Sequence, residues 1–446
     1  MLIAFKISNY RSIGAEQEIS LIPATNQKDH LQNIITKGKY QALNAIALYG
    51  PNASGKSNLL RAISLLDRLV HTSAGMSSTA KLPYDPFVLR AGYENKPTRL
   101  EATFIIDGIR YRYGLEFSEY EVNKEWLFRK SAGREVYIFE REGDTIDVST
   151  SLKGSKKVID AAIEATRPNA LFLSISDTLN LEEPKKIMQW FKYLHMIDGL
   201  STDDDIRTVA LHNTSAYSIK IQDYIKSLNL GILDIQIATR DFDEAELPAN
   251  MPEALRKELI NQLQGQQTYK VNAVHNLYDN DGQATANVHI WDFYERESAG
   301  SQKAFKLSGP ILWALSKGGV LIIDEIEAAM HPIMTLNTID LFLDQTSNPN
   351  GAQLIFATHD TNLLSYSKLR RDQIYFSEKN KWESTEIYSL SDFVHFEEKD
   401  GEFKSEKERP DTDKEKRYFE GRYGAIPILG NFRKFIRDTK WPKEEK

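Results

Sequence analysis

The rhythm of apolar and polar positions changes several times along this 446-residue chain, and each change predicts an element. Residues 2–22 alternate, with Ile3, Phe5, Ile7, Ile19 and Leu21 on the apolar beat. Period two predicts two strands of a hairpin around Asn9-Tyr10-Arg11-Ser12-Ile13-Gly14. Residues 24–41 are polar and read as loop. Ala45-Ile46-Ala47-Leu48-Tyr49 is an unbroken apolar run, the mark of a buried strand. Beyond Ser57 the spacing turns helical, through Leu59, Leu60, Ala62, Ile63, Leu65 and Leu66. Residues 71–81 read as loop. Strands follow at 99–106, 109–117 and 122–129, with Asp107-Gly108 as a hairpin turn. Residues 134–150 continue the hairpins around Glu142-Gly143-Asp144. This predicts an antiparallel sheet distinct from a parallel core.

From about 155 to 265 the pattern is helical, with helices predicted over 160–165, 183–194, 216–228 and 252–264. Asp203-Asp204-Asp205 and residues 241–248 read as acidic linkers. No heptad repeat is sustained, so a compact helical subdomain is expected rather than a coiled-coil arm. Strands resume at 268–278 and 284–293, joined by the turn Asp279-Asn280-Asp281-Gly282. A helix over 304–317, a strand over 320–323, a helix over 332–344 and a strand over 353–357 predict parallel sheet. After about 395 the charged stretch 397–417 reads as a linker or exposed loop, before a small element over 418–435. The fold class is therefore α/β: a mixed sheet core, an antiparallel β subdomain and a helical insertion. Four segments are expected, 1–150, 151–267, 268–395 and 396–446.

Composition narrows the function classes. The net charge is −7, so no global field attracts nucleic acid, and any such contact would need a local basic patch. Lys153 to Lys157, Lys185-Lys186 and Arg370-Arg371 read as solvated surface. There is no cysteine, which removes disulfides and thiol chemistry and fits a reducing cytoplasm. The start of the chain does not have the pattern of a signal peptide, and no apolar run has membrane-spanning length. Trp126, Trp291 and Trp313 read as core residues.

The chemistry concentrates after the buried strand. Gly50-Pro51-Asn52-Ala53-Ser54-Gly55-Lys56-Ser57, followed by Asn58, lies between strand and helix, the order a phosphate-binding loop requires. Backbone N–H groups of the loop and helix start can wrap a phosphate. Lys56 should reach its outer oxygens, and the Ser57 hydroxyl should ligate Mg²⁺. Asp324-Glu325 ends a second apolar strand. There Asp324 would hold Mg²⁺ through water, and Glu325 would orient or deprotonate the attacking water. His359, at the tip of the next strand, could stabilise transferred charge. Ser298 or Ser301 can cap the helix that follows.

This order of parts resembles the ABC-type ATPase heads of the SMC and RecF group. It is more closely similar to the bacterial "AAA family" ATP-binding proteins related to OLD-type and RloC-type anti-phage ATPases. The blocks that carry the resemblance are ESAGSQKAF from Glu297, DEIEAAMHP from Asp324, ATHDTNLL from Ala357, RRDQIY from Arg370 and GRYGAIP from Gly421. It covers about 1–115 and 270–435, and leaves the helical insertion without a named motif. The resemblance implies ATP and Mg²⁺ as ligands and an ABC-type head. Ser298 and Gly300 match a signature motif that contacts the γ-phosphate held by the other subunit. Glu327 to His331 match a loop that crosses the dimer interface, and His359 matches the switch histidine. A homodimer or higher homo-oligomer formed through the ATP sites is implied. So is a regulatory role in phage defence with a separate effector protein. Heads of this group carry a glutamine between phosphate loop and insertion, whereas this chain has none between Gln41 and Gln189. Another group must then complete the Mg²⁺ shell, or hydrolysis is slow. Arg11 either lies near the nucleotide or only shapes its turn. Two rival readings follow, a RecF-like DNA repair or recombination ATPase and a slowly hydrolysing ATP-binding scaffold.

Overall fold

The computed structural model describes residues 1–199, 206–242, 244, 247, 251–263, 267–366, 368–399, 402–407 and 412–427. The expected acidic linker Asp203-Asp204-Asp205, parts of 241–248 and of the charged stretch 397–417, and residues 428–435 of the last expected element lie outside them.

The N-terminal hairpin forms as expected, with β1 (Leu2–Ser8) antiparallel to β2 (Gln17–Ser20). The expected loop 24–41 instead contains part of a second hairpin, β3 (Ile34–Lys37) with β4 (Tyr40–Leu43). Its signal is brief: two isoleucines and then Gly38, whose φ of 63° makes the turn. The buried strand is β5 (Ala45–Tyr49), followed by α1 (Lys56–Thr72). Then come β6 (Thr98–Ile106), β7 (Ile109–Phe117), β8 (Val122–Lys130), β9 (Val136–Glu142) and β10 (Thr145–Val148). Asp107 and Gly108 both have positive φ, the geometry of the two-residue turn that Asp-Gly favours. These strands join β1 and β2 in a seven-stranded antiparallel sheet, ordered β10-β9-β8-β7-β6-β1-β2.

The segment expected to be helical holds α2 (Lys156–Ala165), α3 (Phe172–Thr178) and α4 (Glu182–Phe191). It then departs from expectation at β11 (Leu194–Asp198), a strand of the central sheet. His195 interrupts its apolar run, and the helical spacing before it masked the change of period. The segment continues with α5 (Ile206–His212), α6 (Ser215–Ser227), β12 (Asp234–Asp241) and α7 (Glu253–Leu263). The next hairpin is β13 (Gln267–Tyr278) with β14 (Ala284–Asp292), and β12 pairs on the other side of β13. A short α8 (Phe293–Arg296) leads to α9 (Ala299–Lys317), which starts earlier than its apolar pattern because Ser298 caps it.

The remaining elements are β15 (Val320–Asp324), α10 (Pro332–Leu343), β16 (Gln353–Ala357), α11 (Asn362–Ser365), β17 (Ile374–Lys379) and β18 (Thr385–Ser389). They are followed by β19 (Val394–Lys399), β20 (Glu402–Lys407) and α12 (Lys414–Phe419). The expected charged linker is thus partly a hairpin, since β19 pairs with β20.

The central sheet runs β11-β15-β16-β5-β17-β18, parallel except for the edge strand β18. Its central strands are buried along their whole length and mostly apolar because both faces are covered. Ile46, Leu48, Ile322 and Ile355 pack with α1 and the antiparallel sheet. Ala47, Tyr49, Ile323 and Phe356 pack on the other side, with residues of α9 and α10. Helix α9 carries Pro310, which cannot donate to the Lys306 carbonyl one turn back. The Thr208 hydroxyl on α5 donates to that carbonyl at 2.8 Å and so satisfies it. No helix among the described residues is long and apolar enough to cross a membrane.

Candidate functional site

Three facts of register bring the chemistry together. β5, β16, β15 and β11 are parallel neighbours, so their C-terminal ends share one edge of the sheet. That edge is where open α/β sheets bind ligands. It carries the phosphate loop after Tyr49, His359 after Ala357, the Asp324-Glu325 pair and Asp198.

The loop conformation is over-determined. Gly50 has φ 150° and Gly55 φ 109°, and Ala53 is left-handed at 62°. A Cβ on Gly50 would stand 2.2 Å from the Ser377 carbonyl oxygen, and one on Gly55 would stand 2.1 Å from Thr385 Oγ1. Only glycine fits either place. The Ser54 carbonyl accepts from Thr385 Oγ1 at 2.8 Å and from Ser377 Oγ at 3.1 Å, tying the loop to β17 and β18. Ser12 contacts Thr385 Oγ1 at 2.8 Å and accepts from Asn58 Nδ2 at 2.7 Å. The N-terminal turn therefore reaches the loop through Ser12. Arg11 is partly exposed and pairs with Asp85 at 2.9 Å, an arrangement that supports the turn.

Lys56 is 5% exposed, and its Nζ donates to the Gly50 and Pro51 carbonyls at 2.7 and 3.1 Å. Burial lowers its pKa to about 8, opposed by the charges of Asp324, Glu327 and Glu325. The Ser57 hydroxyl lies beside the Asp324 carboxylate. Burial raises the Asp324 pKa, the Ser57 hydroxyl opposes the shift, and the Asp198 charge adds to it. Asp324 is 4% exposed, and its Oδ1 has no hydrogen-bond partner among the described residues. A buried carboxylate oxygen without a partner is costly unless a cation or water meets it. Together with the Ser57 hydroxyl it fits the hard oxygen ligands that Mg²⁺ takes. Among the described residues, no group of three or more His, Asp or Glu side chains forms a ready-made metal cluster. A cation here would rely on this hydroxyl, carboxylates, water and phosphate.

A cavity of about 610 Å³ is walled by Asn52, Ala53, Ser54, Gly55, Lys56, Ser57, Asn58, Glu325 and His359. Glu325 holds φ 49°, a strained backbone for a glutamate. The His359 amide donates to Glu327 Oε1 at 2.6 Å, linking the strand tip to the loop after Glu325. Burial and then the Lys56 charge lower the His359 pKa, so the imidazole is neutral at pH 7. A neighbouring cavity of about 860 Å³ shares Asn52, Ser54 and His359 and reaches Tyr418, Phe419 and Ile426. The GRYGAIP block thus borders the site. The Ala425 amide donates to Glu378 Oε2 at 2.8 Å, and Tyr388 OH donates to the Tyr423 carbonyl at 2.6 Å.

Ser298 and Gly300 are not brought into this cavity. Ser298 is exposed, and its Oγ accepts from the Ser301 amide at 3.1 Å as the cap of α9. A Cβ on Gly300 would lie 3.0 Å from the Ala329 carbonyl, so the helix start sits against the loop that follows Glu325. Glu297 is fixed from behind by His275 Nε2 at 2.7 Å and Trp291 Nε1 at 2.9 Å. Trp291 is thus half-buried and polar-linked rather than simply core. His331 caps α10, accepting from the Ile333 amide. The basic pair expected on the surface is split: Arg370 is fully buried and bound to Asp372 at 2.8 Å. Sequence reasoning also missed Ser12, Ser377, Thr385 and Asp198. Only Asp198 left a signal, since Leu194-His195-Met196-Ile197-Asp198 resembles the other strands that end in an acid.

No curated protein matches the chain. Among solved structures, the recombination mediator protein RecF with ATP is 14% identical, at TM-score 0.31, with 81% of this chain and 94% of that one covered. A dimeric ATP-binding cassette in a post-hydrolysis state, bound to ADP and Pi, is 11% identical at TM-score 0.25, with 83% and 93% covered. Residues 45–365, more than half of the chain and the whole span from β5 to α11, match the family described as "AAA domain, putative AbiEii toxin, Type IV TA system". The chain belongs to that AAA-domain family.

Proposed function

We propose that this protein binds Mg-ATP on Gly50 to Asn58 and hydrolyses it, using the resulting conformational cycle as a switch. The observation that carries this reading is the Ser57–Asp324 contact beside a cavity walled by the loop, Glu325 and His359. Loop amides and Lys56 would cradle the phosphates. Glu325 would orient and deprotonate the attacking water, and His359 would meet the γ-phosphate oxygens. Bound Mg²⁺ would supply charge neutralisation between phosphate oxygens, held by Ser57 and Asp324.

The same reading makes the active unit a homodimer or higher homo-oligomer. Ser298 and Gly300 would close the site of another copy, which the exposure of Ser298 and the position of both residues off the walls of the local cavity support. Closure has a physical source, because a γ-phosphate gains a second set of donors only in the closed state. We assign the output to control of a separate effector in phage defence, on the strength of the sequence blocks alone. Residues 1–150 and 268–395 would form the head, with 151–267 as insertion and 396–446 as a C-terminal extension.

Phosphate release and light scattering test the reading together. Wild type should release phosphate from ATP, and Lys56→Ala should not. Glu325→Gln should bind ATP, release almost no phosphate and gain the mass of a dimer. Wild-type turnover by Glu325→Gln would end the role given to that residue. A monomer in saturating ATP would end the sandwich.

A further inference from the structure

We propose that Asp198, at the end of β11, is the positioning carboxylate that completes the outer side of the Mg²⁺ site by accepting hydrogen bonds from metal-bound water. The inference rests on the ATPase reading above and deepens it. Asp198 and Asp324 are direct partners in the parallel register of β11 and β15. Neighbouring strands lie about 4.8 Å apart, and directly paired residues face the same side. The two carboxylates are therefore adjacent at the strand ends.

The backbone holds them there. The Gly199 amide donates to the Asp324 carbonyl at 2.8 Å, and Lys303 Nζ donates to the Gly199 carbonyl at 2.6 Å. A Cβ at position 199 would lie 2.2 Å from the Asp324 carbonyl and 2.4 Å from that of Glu325, so the turn is seated directly on the Asp-Glu pair. A second, independent observation points to a ligand: the buried Asp324 Oδ1 has no partner among the described residues. Asp198 differs from Asp324 in being about two-fifths exposed, so water reaches it. Its ion pair with Arg61, at 3.6 Å and equally exposed, contributes little to folding but limits where the carboxylate can point. A solvent-facing acid beside a buried one suits a ligand acting through water, as Mg²⁺ keeps much of its hydration shell.

The test measures metal affinity rather than turnover. Mn²⁺ binding to the full chain with a non-hydrolysable ATP analogue is followed by electron paramagnetic resonance, and analogue binding is repeated in EDTA. Asp198→Asn keeps the shape and removes the charge. It should weaken Mn²⁺ binding by roughly 10-fold, within the range that outer-shell partners of metal ligands show, while analogue affinity in EDTA is not reduced. Asp198→Glu should recover most of the loss. Unchanged Mn²⁺ affinity in Asp198→Asn would overturn the proposal, and so would equal losses with and without metal, which mark a structural role. A wild-type chain that binds neither analogue nor Mn²⁺ would instead overturn the ATPase reading, and this inference with it. Melting curves of both variants confirm that the comparison is made on folded protein.

Discussion

The phosphate loop and the Ser298–Gly300 turn are built in opposite ways. The loop is enclosed within its own chain. Two glycines are pressed against β17 and β18, Ser54 is clamped by two hydroxyls, and Lys56 is buried. The turn is exposed, although its support is just as deliberate: Glu297 is held by a histidine and a tryptophan, and Gly300 lies against Ala329. On the proposed reading the exposed helix start would act on another copy, whereas the loop already faces the residues it would work with. Burial would then mark the half of the site a chain completes alone, and exposure the half it offers outward.

The largest expected effect comes from the enclosed half. Lys56→Ala should abolish phosphate release, and Glu325→Gln should lower it about 100-fold or more with ATP binding retained, in line with the usual worth of a general base. Rate and equilibrium binding measured separately decide between the two. The outward half should break differently. Gly300→Asp should leave ATP binding intact and remove both dimer formation and turnover. Mixing it with Lys56→Ala should restore turnover, because one hybrid site then has an intact loop and an intact turn. Failure of that mixture would place Ser298 and Gly300 outside the chemistry.

A smaller effect is expected at Gly55. Gly55→Ala combines a clash with Thr385 and a forbidden φ. Local backbone strain of this kind costs on the order of 1–3 kcal/mol, which denaturant melts and loss of ATP binding would register. Smaller still should be His275→Ala, which removes one of two donors to Glu297. Trp291 Nε1 still donates to Glu297, so the loss should not exceed about 1.5 kcal/mol, the lower end for hydrogen bonds to charged groups, and a small drop in melting temperature with only a few-fold loss of turnover is expected. The gentlest test is pH. The Lys56 ammonium is present below its pKa of about 8 and lost above it, so ATP affinity should weaken as pH rises through 8. For folding the sign is opposite. The unfolded chain keeps that proton up to the ordinary value of 10.5, so this group makes stability rise with pH between the two values.

Much of the fold was readable because its periods are strong. The antiparallel strands, β5, β15, β16 and the phosphate loop stand where alternation, apolar runs and glycine spacing predict them. The misses share a cause. β3–β4 and β11 are about as short as β5, β15 and β16, but Thr36, Gln41 and His195 break the apolar run that marks those strands. Arg370 reads as surface because nothing local shows that Asp372 and the Asp29 carbonyl receive its guanidinium inside the protein.

The sequence by itself determined the local chemistry: a glycine-spaced loop between strand and helix, a lysine and serine at its end, an Asp-Glu pair and a histidine closing apolar strands. Those features depend on neighbours a few residues away, so linear spacing encodes them. Only the tertiary structure decided which strand ends meet. Sheet order brings Asp198 beside Asp324, 126 positions along the chain, and puts Ser12, Ser377 and Thr385 against the loop. It also leaves Ser298 and Gly300 off the walls of this chain's own cavity. Strand adjacency is set by the packing of whole sheet faces against α1 on one side and α9 and α10 on the other. No short stretch of sequence carries that information.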